Sequence, residues 1–261
     1  MHPYFNILGK EIPAYWLCAL IGAAAVSLLL FLRHKKYSEF QQVDITNAVA
    51  LAAIGMIIGG RLLYLITILP AIVRNWSYVT SDIKIVLEIV SNGMVFYGGL
   101  FGAIITLALY AKKYKLNTKL FFDYFAPCIP LFHVFGRIGC FLTGCCHGIV
   151  SDRFGIAFTN SISSVNGVPY LPVQLMEAFA ELVLSIIVCR YADLHRGTGK
   201  ALELYLLLYA AIRFALEFLR GDSIRGFVLG LSTSQWISII VLIVVVLRRV
   251  ISLRIKNVSG I

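Results

Sequence analysis

Charge is scarce in this chain. Only 14% of its 261 residues are charged against 59% that are hydrophobic, and the mean hydropathy is +0.85. A soluble domain of this length is not so apolar, and the composition points instead to a chain that crosses a membrane several times. Acidic residues are the scarcest: 13 against 23 basic ones, for a net charge of +10. That excess would suit nucleic acid if it formed one patch, but it is parcelled out between apolar runs. The N-terminus, Met1-His2-Pro3-Tyr4-Phe5, lacks a basic n-region and a small-residue cleavage site, so the first apolar run is expected to be a retained span. A low-complexity linker is also lacking, and one transmembrane domain over 1–261 is expected. There is no internal repeat and no pair of broken apolar segments of the kind that supports alternating access, which ranks a lipid or anion transporter last.

What is present is a series of about seven apolar runs: 12–32, 46–70, 93–111, 122–146, 172–189, 201–219 and 233–247. An all-α polytopic membrane protein follows. Arg33, Lys35 and Lys36, then Lys112, Lys113, Lys115 and Lys119, then Arg190, Arg196 and Lys200, and finally Arg248, Arg249, Arg254 and Lys256 flank one side. The other side carries Lys10, Arg74, Lys84, Arg153, Arg220 and Arg225. Positive flanks stay cytoplasmic, so the N-terminus is expected outside and the C-terminus inside. The longer exterior loops are then 71–92, 147–171 and 220–232.

Three arginines, Arg61, Arg137 and Arg213, fall inside the apolar runs. A charge at mid-membrane costs roughly 2.5–3.5 kcal/mol on insertion scales, so such residues normally face an internal cavity and hold something. A guanidinium stays charged and offers five donors in a fork that fits phosphate oxygens, which points to an anionic lipid headgroup. Glu217 follows Arg213 at i+4 on one helical face, with Arg220 three residues further on. Gln174, Glu177 and Glu181 form another stripe, and its two carboxylates need partners, for which the buried arginines are the obvious choice.

The run from Gly136 to Gly148 is the densest stretch, placing Arg137, Cys140 and Gly144 on one expected helical face. Cys140, Cys145, Cys146 and His147 raise a metal site, but the spacing is not that of paired Cys-x2-Cys knuckles, and adjacent cysteines rarely share one ion. No metal and no cofactor are expected, and the cysteines read as small packing residues. His133 reads as a packed core histidine. Gly55 with Gly59 and Gly98 with Gly102 are small-xxx-small pairs that mark close helix packing. Tyr15, Tyr64 and Tyr97 sit near expected membrane interfaces, where a tyrosine belt accounts for them as readily as a site does.

These motifs, taken in order, resemble those of the bacterial prolipoprotein diacylglyceryl transferases. Segment 136–148 is similar to that family's signature Gly-Arg-hydrophobic-Gly-Asn-Phe-hydrophobic-Asn-Gly-Glu. Tyr15 resembles its first-span tyrosine, and Gly59-Gly60-Arg61-Leu62-Leu63-Tyr64 its second-span motif. Gly93 to Gly99 looks like its Gly-Met-Ser-Phe-His-Gly-Gly, Pro172 to Glu177 its Pro-x-Gln-Leu-Tyr-Glu, and Arg213 to Arg220 its Arg-Phe-x-x-Glu-Phe-x-Arg. Gly230-Leu231-Ser232 with Gln235-Trp236 resembles a further family segment. The resemblance implies transfer of the diacylglyceryl group of phosphatidylglycerol to the lipobox cysteine of a prolipoprotein, with a thioether as product and glycerol phosphate leaving. It implies Arg137, Arg213 and Tyr97 as catalytic residues. Tyr15, Arg61, Tyr64, Gly98, Gly99, Cys140, Gly148, Gln174, Glu177 and Glu217 are implied to bind substrate. Tyr97 stands where the family has histidine, Cys140 and Thr143 where it has asparagines, and Cys145 where it has glutamate. Two other readings stay open: a related headgroup transferase with another acceptor, and a membrane thiol redox protein using Cys140, Cys145 and Cys146.

Overall fold

A computed structural model describes residues 1–7, 9–91, 93–163, 165–221 and 227–259. Asn92, Ser164 and Arg225, each assigned above to an exterior loop or its flank, lie outside the described residues. The chain is mostly helical. An N-terminal hairpin of β1 (Tyr4–Ile7) and β2 (Lys10–Pro13) leads into α1 (Ala14–His34) and α2 (Gln42–Arg74). Then come α3 (Trp76–Val79), α4 (Ile83–Ser91), α5 (Phe96–Lys113), α6 (Thr118–Phe125) and α7 (Cys128–Thr143). A short hairpin of β3 (Ile156–Ala157) and β4 (Pro169–Tyr170) precedes α8 (Val173–Leu194) and α9 (Lys200–Glu217). A last hairpin, β5 (Phe227–Val228) and β6 (Leu231–Ser232), opens α10 (Thr233–Ser259).

Four helical stretches, Ala14–Tyr37, Gln42–Arg74, Thr118–Thr143 and Thr233–Ile251, are long and apolar enough to cross a membrane. Glu177 and Glu181 on α8, and Arg213 and Glu217 on α9, make those helices less apolar, but all four side chains are buried. Segment 71–92 holds the end of α2 and the helices α3 and α4. Pro127, whose nitrogen cannot continue the hydrogen-bond ladder, marks the boundary between α6 and α7 inside the stretch Thr118–Thr143, which still overlaps the expected run 122–146 as one span.

The chain forms two compact units, one of residues 1–36 and 122–261 and one of 37–121. In the larger, α7 packs against both α1 and α8, α8 against α9, and α9 against α10, where Ala210, Val241 and Val245 form a small core. Far from the acidic stripe, the Asp193 carboxylate accepts from Arg33 at 2.9 Å and from Lys36 at 2.6 Å. Arg33 also donates to the carbonyls of Tyr124 and Asp123, and the Asp123 carboxylate caps α9 by accepting from the backbone of Gly199 and Ala201. Burial works against the Asp193 charge, but the hydrogen bonds from Lys36 and Arg33 outweigh it and hold the carboxyl below its ordinary range. Stabilisation by this group is therefore complete above the unfolded value of about 3.9 and is lost as pH falls through the lower folded value. Asp193→Asn is expected to cost about 1–3 kcal/mol at neutral pH, because the amide keeps one acceptor oxygen but loses the charge shared by Arg33 and Lys36. Melting curves in detergent should show that deficit at neutral pH and its disappearance in strong acid.

In the smaller unit α2 and α5 meet along the glycine seam. A β-carbon on Gly55 would lie 2.6 Å from the Gly102 carbonyl oxygen, and one on Gly98 would lie 2.6 Å from the Leu63 β-carbon and overlap the Gly59 carbonyl. The two small-xxx-small pairs thus face each other, letting the backbones touch.

Candidate active site

Glu177 is the hub of a buried charge network in the larger unit. The first half of α8 carries Gln174, Glu177 and Glu181 on one stripe, and all three are 2% exposed or less. Glu177 Oε2 lies 2.8 Å from Arg137 Nη2, and its Oε1 lies 3.9 Å from both Arg213 Nε and His133 Nε2. Arg213 Nη2 is 2.5 Å from Glu217 Oε2 and donates to Ser234 Oγ at 3.2 Å. Arg220 Nε stands 4.0 Å from the same Glu217 oxygen. The i, i+4 spacing of Arg213 and Glu217 therefore produces the ion pair expected from it.

Glu181 departs from expectation. Its partner is not an arginine but His133, whose Nδ1 lies 2.8 Å from Glu181 Oε1. His133 is buried as expected, with its ring edge-to-face with Tyr209, but it also joins the charge network. His133 and Ser234 are the residues the sequence reading missed as members of the site. His133 precedes Arg137 by one helical turn, a usable signal; for Ser234 no local signal exists.

Arg137 and Arg213 each keep a guanidinium nitrogen uncommitted among the described residues. Arg137 Nε and Arg213 Nη1 are buried with no hydrogen-bond partner among those residues, while Glu177 and Glu217 each face an arginine and Glu181 faces His133. A buried donor left unmade is costly, and an oxyanion with several acceptor oxygens is the group that would satisfy both. Three arginines (137, 213, 220) balance three carboxylates (177, 181, 217), so an entering anion does not meet a pocket of net negative charge.

The end of α7 shapes the rest. Gly144 closes the helix in the left-handed region at φ +73°, with Cys145 N donating to Cys140 O at 3.1 Å and Gly144 N to Phe141 O at 3.1 Å. This is a Schellman motif, for which glycine is the natural residue. Gly144 thus lies beyond the helix rather than on a helical face with Arg137, which corrects the expectation above. Cys146 is itself left-handed, at φ +60°. The Cys140, Cys145 and Cys146 sulfurs consequently lie within 4.8 Å of one another, and Arg137 Nη1 is 3.9 Å from the Cys140 sulfur. Gln174 Nε2 donates to the Cys145 carbonyl at 2.6 Å, and Ser161 Oγ to that of Gly144 at 2.8 Å. Gly148 is enclosed: a β-carbon there would lie 2.7 Å from the carbonyl oxygens of both Leu171 and Leu219. That close approach lets Gly148 bridge to Arg220 and bring it beside Glu217. Tyr15, in the first turn of α1, lays its ring over Gly139 and keeps 48% of its surface exposed.

Arg61, Tyr64, Tyr97, Gly98 and Gly99 belong to the smaller unit. Arg61 is half-buried rather than buried and donates to the Val90 carbonyl. The Tyr64 ring fills the space beside Gly93, where a β-carbon would lie 2.6 Å from its Cδ2. Tyr97 opens α5 and is 4% exposed, its ring near those of Phe96 and Phe101. It is therefore not a residue of an interfacial belt. Gly98 and Gly99 pack against α2.

Residues 3–251 match the family described as prolipoprotein diacylglyceryl transferase. The chain belongs to that family. It is similar to phosphatidylglycerol–prolipoprotein diacylglyceryl transferase 2 of Clostridium perfringens, 34% identical over 91% of this chain and 90% of the relative. The phosphatidylglycerol–prolipoprotein diacylglyceryl transferase of Clostridium tetani is also 34% identical, over 92% of this chain and 93% of its own. That of Clostridium novyi is 33% identical over 98% and 96%. Family membership covers the charge network, the α7 turn and the glycine seam alike, since all lie within the matched span.

Proposed function

We propose that this protein transfers the diacylglyceryl group of phosphatidylglycerol to the lipobox cysteine thiol of prolipoproteins. The observation that carries the reading is the pair of uncommitted, buried guanidinium nitrogens on Arg137 and Arg213. In the reaction the cysteine sulfur bonds to the glyceryl carbon that bears the phosphate ester, and that carbon–oxygen bond breaks. Glycerol phosphate leaves with the bonding electrons, and the thiol proton is given up to base or solvent. Arg137 and Arg213 hold the donor phosphate and stabilise the negative charge that grows on the leaving group. Glu177 and Glu217 fix the two guanidinium planes, Gln174 steadies the α7 turn, and Cys140 and Gly148 line the site. Tyr15, Arg61, Tyr64, Gly98 and Gly99 contribute to substrate binding. Tyr97 acts at the position of the family's histidine. An ordinary tyrosine has a pKa of about 10 and donates a hydrogen bond more readily than it takes a proton, so Tyr97 serves an oxyanion better than a thiol.

The topology proposed for this activity is seven membrane-crossing helices in one domain, N-terminus outside and C-terminus cytoplasmic, in the bacterial inner membrane. The basic flanks support it, and the inward-facing charges of α8 and α9 remove the objection that those helices are less apolar. The protein needs no organic cofactor for the transfer. A related transferase with a different acceptor is the second reading, favoured by Tyr97, Cys140, Thr143 and Cys145 at positions where the family signature differs.

The test uses purified protein in detergent, phosphatidylglycerol labelled in its glyceryl–acyl portion, and a lipobox peptide with either cysteine or serine at the acceptor position. Label is expected on the cysteine peptide alone, and Tyr97→His should transfer at least as fast as wild type. A folded protein that binds the lipid but labels neither peptide would move the assignment to another acceptor.

A further inference from the structure

The three thiols at the end of α7 do more than pack. We propose that Cys140, Cys145 and Cys146 form a three-thiolate site for a single soft, closed-shell metal ion of the Cu(I) or Zn(II) class. The sulfurs already lie within 4.8 Å of one another. A metal–sulfur bond of about 2.3 Å in a trigonal arrangement asks for sulfurs about 4.0 Å apart, so a sub-ångström contraction closes the ring. Adjacency of Cys145 and Cys146 ordinarily prevents both side chains from reaching one ion. The left-handed backbone at Cys146 removes that obstacle, because it turns the chain back toward Cys140. A non-glycine residue in that region is strained and persists only where its surroundings impose it.

The surroundings here are independent of any ion. The Schellman closure fixes Cys145 relative to Cys140, Gln174 holds the Cys145 carbonyl, and Ser161 holds that of Gly144. The Thr143 hydroxyl lies 3.4 Å from the Cys145 sulfur, and Arg137 lies 3.9 Å from that of Cys140, so hydrogen-bonding and charge partners for bound thiolates are in place. Among the described residues the cluster has three members, with no histidine or carboxylate as a fourth. His147, next in sequence, is turned away, with its Nδ1 on the Gly148 carbonyl and its ring on Tyr170. Three soft sulfurs with one open position suit Cu(I), or Zn(II) carrying a water or exchangeable ligand, rather than a hard cation. A disulfide would use two of the sulfurs and leave unexplained why the third converges on them.

The site is tested on the full-length, reduced protein in detergent, without reference to lipid transfer, so its failure and that of the transferase assignment are distinguishable. Titration with Cd(II) as a probe should give a sulfur-to-metal charge-transfer band that saturates at one ion per chain. Cu(I) should displace the probe stoichiometrically, and Zn(II) should do so only in excess, because thiolates favour the softer ion. Cys146→Ser and Cys145→Ser should each weaken binding at least about 100-fold, the scale already reached by losing an outer partner of a metal ligand. Cys189→Ser, on α8 and outside the cluster, should leave the titration unchanged. Melting curves without metal confirm that each variant folds. A titration with no band, or a band of wild-type strength in the folded Cys145→Ser/Cys146→Ser double variant, overturns the proposal.

Discussion

Arg213→Ala is expected to transfer diacylglyceryl groups about 10²–10³-fold more slowly than wild type, the usual scale for losing a donor aimed at developing negative charge. Arg213→Lys should recover only part of that loss. Arg213 divides its nitrogens among three tasks: Nη2 serves Glu217 and Ser234, Nε faces Glu177, and Nη1 is buried without a partner. A lysine ammonium is a single point charge, and beside Glu217 it would be held there, with nothing projecting from the other side of the fork. The lysine variant therefore keeps the ion pair that holds α9 and loses the donor proposed for phosphate. Single-turnover transfer and thermal melting, measured together, separate the two. Arg213→Lys should melt close to wild type and transfer slowly, whereas Arg213→Ala should lose both. Transfer by Arg213→Lys at the wild-type rate would show that Nη1 does not contact the phosphate. Arg137 is predicted to behave alike, since its Nε is also uncommitted while Nη2 serves Glu177.

Helical periodicity made much of this site legible. The pairing of Arg213 with Glu217, the common face of Gln174, Glu177 and Glu181, and the glycine pairs of α2 and α5 each follow from side-chain spacing within one helix. Each apolar run overlaps a helix of the structure for the same reason. What escaped was set by contacts between elements or by unusual backbone. The pairing of His133 with Glu181 depends on how α7 crosses α8, and nothing in either segment alone encodes it. The convergence of the cysteines depends on a left-handed residue at Cys146, a conformation for which cysteine gives no warning. The break at Pro127 was hidden because hydrophobicity continues through it, and hydropathy cannot see a missing N–H. The two short helices within 71–92 lie between apolar runs, where hydropathy alone gives no helix signal.

Glu177→Leu is expected to destabilise the protein by about 3–5 kcal/mol, the cost of removing one partner of a buried ion pair and leaving the other charged. Glu177 is 2% exposed, and three potentially cationic groups stand within 4 Å of its carboxylate: Arg137, Arg213 and His133. No other carboxylate of the network is positioned to replace it, since Glu217 is engaged by Arg213 and Glu181 by His133. Leucine would leave Arg137 buried without its 2.8 Å counter-charge, and a guanidinium cannot shed its own charge. Glu177→Gln keeps the side-chain shape and one acceptor oxygen for Arg137, so its deficit should be clearly smaller. The glutamine variant also carries one negative charge fewer beside the arginines, and its affinity for the anionic donor should be undiminished while kcat falls. That split sets a hub that orients the arginines apart from one that only neutralises them, because neutralisation alone would be improved upon by the incoming phosphate and kcat would hold. Equal melting temperatures for the leucine variant and wild type would mean that Arg137 and Arg213 find other counter-charges, and the hub assigned to Glu177 would fall.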